Sequence, residues 1–373
     1  MLLYSAVAAV TILLACMVCN HPVKIAHGVT RQQMLNKVYL TAIFSVLFLL
    51  SALRLEVGND YGTYVTTCHE IYNNGYVVTE PGYNFVVKAL YTLSGKEDYL
   101  LMFAFFAFVT ILLFLKSFFD QSDNFAMTFF LFMALGLYFR TFNTVRYYFA
   151  LAITLYSLRY VIRKEYGKFL LLILFAALFH KSVLIVIPLY ILANRPLRRW
   201  QMILMASCGA AIFVFQDFFM KIALKLYPSY VNTPYLEQTT GIIGNLTGIG
   251  RCIAVLLLCL VAYQETIKDN ADNRLYFNLN LMAILLYLCG SFIPLLSRFI
   301  YYLIAPHILL IPGVIFRIQD KKKKKMIMIF TVVAGILYFL LFLKTASQEG
   351  VRVLPYRSWL FYEKEWLDAT DIF

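Results

Sequence analysis

The sequence predicts an all-α fold, a polytopic bundle of membrane helices with about ten full spans and one pair of half-length helices. Three observations predict it. Of the 373 residues, 61% are hydrophobic and 14% are charged, against about 25% charged in an ordinary soluble domain. Apolar runs of about 18 to 20 residues recur from end to end, each long enough to cross about 30 Å of hydrocarbon as a helix. The residue-by-residue alternation of an outer-membrane barrel strand is missing, so backbone polar groups have to be satisfied within helices.

The expected crossings are 2–19, 38–53, 99–119, 125–139, 147–162, 201–219, 248–264, 276–296, 299–316 and 326–343, in a single domain, 1–373. The first run, Leu2 to Cys19, has the length of a signal-peptide core without its basic leader, since the first cation is Lys24; it is expected to be a retained span. Segments 54–98 and 220–247 are expected as outer loops, and 344–373 as an outer tail. Seven cysteines are scattered, mostly in apolar runs, and give no disulfide framework. Cys16 and Cys19 form a CxxC inside the first span, where small buried hydrophobes are expected rather than a redox pair.

Orientation follows from the cationic flanks, which resist translocation. With both termini outside, Lys24, Arg31 and Lys37, then Arg163, Lys164 and Lys168, then Arg195, Arg198 and Arg199, then Arg317 and Lys321 to Lys325 all lie inside. The inner side then holds 19 Lys and Arg against 7 Asp and Glu, and the outer side 14 against 13. Most of the +13 net charge is therefore a topology signal. The Lys321 to Lys325 run reads as an anchor at anionic lipid rather than a nucleic-acid patch.

The segment Phe169 to Leu192 breaks the regular alternation of sides. Cations at both ends, Lys168 and Arg195, place both flanks inside, and its middle reads Phe179, His180, Lys181, Ser182. Each half is only about a dozen residues, roughly 18 Å of helix. Two half-length helices meeting at His180 are expected, with the tip facing an interior cleft, because irregular backbone at that depth survives only against protein or water.

The outer-facing ionisable residues form a constellation. RLEVGNDYGTY runs from Arg54 to Tyr64, EPGYN from Glu80 to Asn84, and Arg140 and Arg146 bracket TFNTV. Arg251, Arg298 and Arg357 follow at the outer ends of later segments. Six arginines there are costly unless something anionic pairs with them, and the planar guanidinium fork suits phosphate. Each feature has a plainer explanation. A span-end arginine is by default a snorkelling anchor, Arg140 and Arg146 are alternatively ion-pair partners of Asp60 or Glu80, and His180 is alternatively a structural hydrogen-bonding residue. Trp200, Trp359 and the surface tyrosines fit interfacial belts. Gly241, Gly244, Gly248 and Gly250 follow no strand and have no P-loop lysine. With no HExxH, Cys/His cluster or DxD sequence, neither a metal nor a cofactor is expected.

RLEVGNDYGTY, EPGYN, the stretch from Val145 to Tyr190 that contains FHKS, and SRFIYY together resemble the EpsG family of membrane proteins in bacterial exopolysaccharide and capsule clusters. The resemblance covers most of the chain. Its most specific parts are Arg54, Gly58, Asp60, Tyr61 and Tyr64, and Phe179 to Ser182. It implies a fold similar to multi-span glycosyltransferases with lipid-linked donors. It also implies a Wzy-like polymerase joining undecaprenyl-diphosphate-linked oligosaccharide units at the outer face of the bacterial cytoplasmic membrane. That lipid-linked oligosaccharide would be both donor and acceptor, and a flippase and a chain-length regulator of the same pathway would be partners. The resemblance implies that Arg54, Asp60, Arg146, His180, Arg251 and Arg298 line the active cleft. Tyr64, Glu80, Arg140, Ser182 and Arg357 are further candidates for substrate contact, and His180, then Asp60, for the base. The leaving diphosphate is an anion, so preorganised cations serve it better than a nucleophile. The rival expectations are a flippase for lipid-linked oligosaccharide, although no internal repeat is found, and a membrane acyltransferase with His180 as base.

Overall fold

The computed structural model describes residues 1–20, 22, 29–196, 199–226, 242–289, 296–348 and 351–361. Lys24, Arg198, Gly241, most of the expected outer loop 220–247 and the end of the tail lie outside the described residues. Helix accounts for 79% of the structure, and strands are absent among the described residues. Four helical segments are long and apolar enough to cross a membrane, Arg31–Ala52, Tyr99–Gln121, Arg298–Arg317 and Lys321–Thr345. Shorter apolar helices accompany them, Leu2–Cys16, Phe125–Ala134, Tyr166–Ala177, Lys181–Ala193 and Leu246–Val261.

The chain divides into two units. The first comprises 1–156, 171–181 and 322–373, and the second 157–170 and 182–321. In the first unit, α1 (Leu2–Cys16) and α2 (Arg31–Ala52) lead into the segment 54–98, expected as an outer loop, which is largely helical. It forms α3 (Tyr61–Tyr72) and α4 (Pro81–Ser94), ahead of α5 (Tyr99–Gln121), α6 (Phe125–Ala134), the short α7 (Leu137–Arg140) and α8 (Val145–Ile162). Sequence signals bound these helices. Thr30 and Gln33 form a capping box on α2, the Asp98 carboxylate accepts from Leu100 N–H at 3.1 Å, and left-handed Gly95 ends α4. The core is aromatic, with Phe106 edge-on to Phe149 and Phe179 at 5.3 and 6.0 Å.

The carboxy-terminal segment straps the stretch that follows α2. Leu55 N–H donates to Arg357 O at 3.0 Å, Trp359 N–H to Leu53 O at 3.0 Å and Gly58 N–H to Arg352 O at 2.8 Å. Gly58 has φ +108°, and a Cβ there would strike the Phe142 carbonyl, so only glycine fits.

Helix α9 (Tyr166–Ala177) ends before His180, a 3-10 turn covers Lys181–Ile185, and α10 (Val186–Ala193) follows. This is the expected pair of half-length helices. Its two ends return to each other within the second unit. The Phe169 and Tyr190 rings stack at 6.1 Å, and the Asn194 amide donates to Val161 O at 2.6 Å.

The rest of the second unit is α11 (Arg199–Val214), α12 (Gln216–Leu226), α13 (Ile242–Val261), α14 (Ala271–Cys289), α15 (Leu296–Ile304) and α16 (His307–Arg317). Helix α14 is central and carries polar glue between helices. Asn278 donates to Ala193 O at 2.8 Å and to Arg195 O at 2.9 Å. Asn280 donates to Cys252 O at 3.0 Å, and its Oδ1 meets His307 Nε2 at 2.9 Å. The last helix, α17 (Lys321–Thr345), belongs to the first unit. It starts on the lysine run and leaves Phe330, Leu337 and Leu341 exposed, as a lipid-facing span does.

Candidate functional site

Glu80 is the N-cap of α4, with Pro81 at the first helical position, yet its side chain makes no capping bond. The carboxylate instead ion-pairs with the Arg146 guanidinium. Its other oxygen, Oε1, accepts from Lys181 N–H at 3.3 Å and lies 3.7 Å from His180 Nδ1. The helix N-terminus adds a favourable field for this negative charge. Of the pairings that the sequence allowed for Arg146, the one with Glu80 is formed.

Each member of the cluster is held by its own element. Arg146 opens α8; its N–H donates to the Tyr64 hydroxyl at 3.2 Å, and its guanidinium lies 5.3 Å from the Tyr83 ring and 5.9 Å from that of Tyr64. Burial raises the Tyr64 phenol above its ordinary value, so it is protonated at neutral pH. His180 sits in the break between half-helices, edge-on to Tyr147 at 5.3 Å, while its neighbour Phe179 anchors the tip against Phe149 at 4.6 Å. Gly82 brings the start of α4 and the end of α9 together. Its N–H donates to Leu178 O at 2.8 Å, and a Cβ would sit 2.8 Å from that oxygen.

Side-chain exposures of 22% for Arg146, 14% for Glu80 and 10% for His180 make the cluster largely, but not wholly, withdrawn from water. A carboxylate beside Nδ1 favours the tautomer that carries its proton there, which leaves Nε2 as the basic nitrogen. A guanidinium, a carboxylate and an imidazole so arranged can bind an anion, steady an imidazolium and take a proton.

The other candidates are distributed elsewhere. Asp60 opens α3, one turn before Tyr64. Arg140 closes α7, with its guanidinium 5.8 Å from the Phe342 ring. Arg357 pairs with Glu56 at 2.5 Å in the strap, which gives it a structural partner. Arg251, Arg298 and Ser182 belong to the second unit, where the Ser182 hydroxyl meets that of Tyr302 at 3.2 Å.

Arg54 is 1% exposed and makes its contacts apart from the cluster. Nη1 donates to Ser51 O at 2.5 Å, and the guanidinium lies 4.5 Å from the Phe103 ring and 5.2 Å from Phe142. Burial pulls it down to about 10, which leaves it charged at neutral pH. Arg54, which the resemblance implies as a cleft residue, is thus enclosed and apart from the Glu80, Arg146 and His180 cluster. Sequence reasoning missed Tyr83 and Tyr147 as walls of the site and the backbone N–H of Lys181 as a donor. Their positions beside Glu80, Arg146 and His180 were the available signal.

The EpsG family model matches residues 37–358, nearly the whole chain. The chain belongs to the EpsG family. EpsG membership and the apolar helices make it a membrane protein of polysaccharide biosynthesis. No curated protein and no solved structure matches it. The matched region contains every member of the Glu80, Arg146 and His180 cluster and stops at Ser358, inside the strap.

Proposed function

We propose that the protein is a polysaccharide polymerase that joins oligosaccharide units carried on undecaprenyl diphosphate, working at the outer face of the cytoplasmic membrane. The observation that carries this reading is the single Glu80 carboxylate shared between Arg146 and the His180 tip of the half-helix pair. Transfer of a glycan from a lipid diphosphate needs a base for the attacking hydroxyl and a cation for the departing anion. The cluster has one of each, held in register by one acid.

In the proposed reaction an acceptor hydroxyl attacks the anomeric carbon of the donor. The new glycosidic C–O bond forms, the bond to the diphosphate breaks, and the hydroxyl proton passes to His180 Nε2. Glu80 supports the imidazolium through Nδ1; the 3.7 Å separation is of the kind that tightens when substrate is bound. Arg146 exchanges its hold on Glu80 for the leaving diphosphate, where two parallel N–H donors match the phosphate oxygens. Arg251 and Arg298 are further proposed diphosphate contacts, and Tyr64 and Tyr83 form an aromatic surface for the glycan. Asp60 is the second candidate for the base.

The deciding experiment deletes the gene in its host and separates the lipid-linked glycans. Single repeat units accumulating at the outer face, restored to polymer by the wild-type gene and not by His180→Ala, are expected. Accumulation only at the cytoplasmic face would make the protein a flippase and end the polymerase reading.

A further inference from the structure

The strap carries Trp359 onto the start of α5. Its N–H donates to Leu53 O at 3.0 Å, and its ring lies 6.0 Å from that of Tyr99, tilted by 49°. Both side chains are half-buried, so each keeps part of its surface open. Three carboxylates border the pair, for Asp98, Glu56 and Glu97 lie close enough that their charges act on the Tyr99 hydroxyl. Each has a partner. Glu56 pairs with Arg357 at 2.5 Å, Asp98 with Lys96 at 3.6 Å and Glu97 with His69 at 3.2 Å. The side chains of Arg357, Lys96 and His69 are 46, 57 and 43% exposed, so this rim stands in water.

That setting decides what the two rings suit. An interfacial belt ring projects from a span against lipid, whereas Trp359 projects from the strap and stands among exposed ion pairs, which hydrocarbon does not admit. The rim is close to neutral, so it provides no field to steer a nucleic acid or a strongly charged peptide. It supplies carboxylate acceptors and guanidinium and ammonium donors in like measure. A sugar matches both features, because its C–H face stacks on aromatic rings and each of its hydroxyls both donates and accepts. The pair is also joined to the candidate site. Tyr99 is edge-on to Tyr61 at 6.5 Å, Tyr61 stacks on Phe103 at 4.6 Å, and Phe103 is edge-on at 6.2 Å to Tyr64, which meets Arg146. Along α5, Tyr99 comes seven residues before Phe106, about 10 Å of helix, and Phe106 packs on Phe179 beside His180. One sugar cannot occupy both places, and a chain can.

We propose that Trp359 and Tyr99 form a glycan subsite that holds the growing chain at a distance from its reacting end. The proposal deepens the polymerase reading and rests on it for the identity of the ligand. A second hold on the same chain strengthens binding of long glycans over short ones. The strap thereby sets a preference for acceptor length.

The test titrates the full-length protein in detergent, by isothermal calorimetry, with lipid-free glycans cut from the host polysaccharide: a monosaccharide, one repeat unit and two repeat units. Affinity is expected to rise with length. Trp359→Ala and Tyr99→Leu should each weaken binding of the two-unit glycan about five- to tenfold, the worth of one aromatic stacking contact. Trp359→Phe keeps a ring and should restore most of it, which a loss of mere bulk in the strap does not explain. If Trp359→Ala fails to accumulate, Tyr99→Leu decides. Absence of binding, equal affinity at every length, or wild-type affinity in both variants would overturn the proposal. The titration contains no lipid-linked donor and no turnover, so its failure removes the subsite and leaves the polymerase reading to the gene deletion.

Discussion

At the residue scale, the behaviour of Arg146 separates a phosphate ligand from a membrane anchor. A guanidinium beside the Tyr64 and Tyr83 rings and paired with Glu80 offers a phosphate planarity and a fork of donors, neither of which lysine has. Arg146→Lys is expected to leave the protein in the membrane while lowering polymer synthesis about 10- to 100-fold, the worth of one charge-assisted hydrogen bond. Full activity would return it to the class of anchors. His180→Ala should cost about 100- to 10,000-fold, as removal of a general base does, with abundance by immunoblot unchanged. Asp60→Asn in the same assay discriminates between the two base candidates, since only the true base should show a loss of that size. Glu80→Gln keeps an acceptor for Lys181 N–H and removes the charge shared by Arg146 and His180. It should therefore impair single-turnover transfer through His180, while binding of the lipid diphosphate, relieved of competition for Arg146, should hold or tighten.

At the element scale, the half-helix pair is the device that carries a histidine into the interior. Its base is tied by Asn194 to Val161 and by the Phe169–Tyr190 stack, which supports the expectation that Lys168 and Arg195 share one side of the membrane. Reporter fusions at both positions are expected to read cytoplasmic; opposite results would make this segment an ordinary crossing. Its tip is set by Gly82. Gly82→Ala would drive a methyl group into Leu178, an overpacking worth about 1–3 kcal/mol. It should lower Tm and polymer yield together, whereas alanine at Gly167, where a Cβ meets nothing within 4 Å, should alter neither.

At the scale of the whole molecule, the charge division predicts sidedness. Cysteines introduced at Gly75 and at Leu360, both exposed, should react with an impermeant maleimide added to intact cells. Cysteines at Gln33 and Lys323 should react only after permeabilisation. Labelling of Lys323 from outside would reverse the orientation and put the Glu80 cluster on the cytoplasmic face. Such a result would remove the outer-face polymerase reading whatever the variants show.

The sequence by itself determined what depends on composition and short-range pattern. Apolar runs without charges have to be helices in lipid, because no other local structure satisfies their backbone there. The cations at Lys168 and Arg195 marked the broken segment, because two like flanks are incompatible with one crossing. The family motifs at Arg54 to Tyr64, Glu80 to Asn84 and Phe179 to Ser182 were legible as strings of residues. Which of their side chains meet was not. Arg54 and Arg146 looked alike, as arginines at the outer ends of spans, and only the tertiary structure sends one to Glu80 and encloses the other among phenylalanines. The expected loop 54–98 contains α3 and α4, which are too short and too polar to announce themselves as spans. Their apolar residues, Val65, Val87 and Tyr91, are buried by packing rather than by lipid. The physical reason is range. Hydropathy and flank charge act along the chain and against the membrane, whereas an ion pair joining residues 80 and 146 to the backbone at 181 exists only once separate helices have packed.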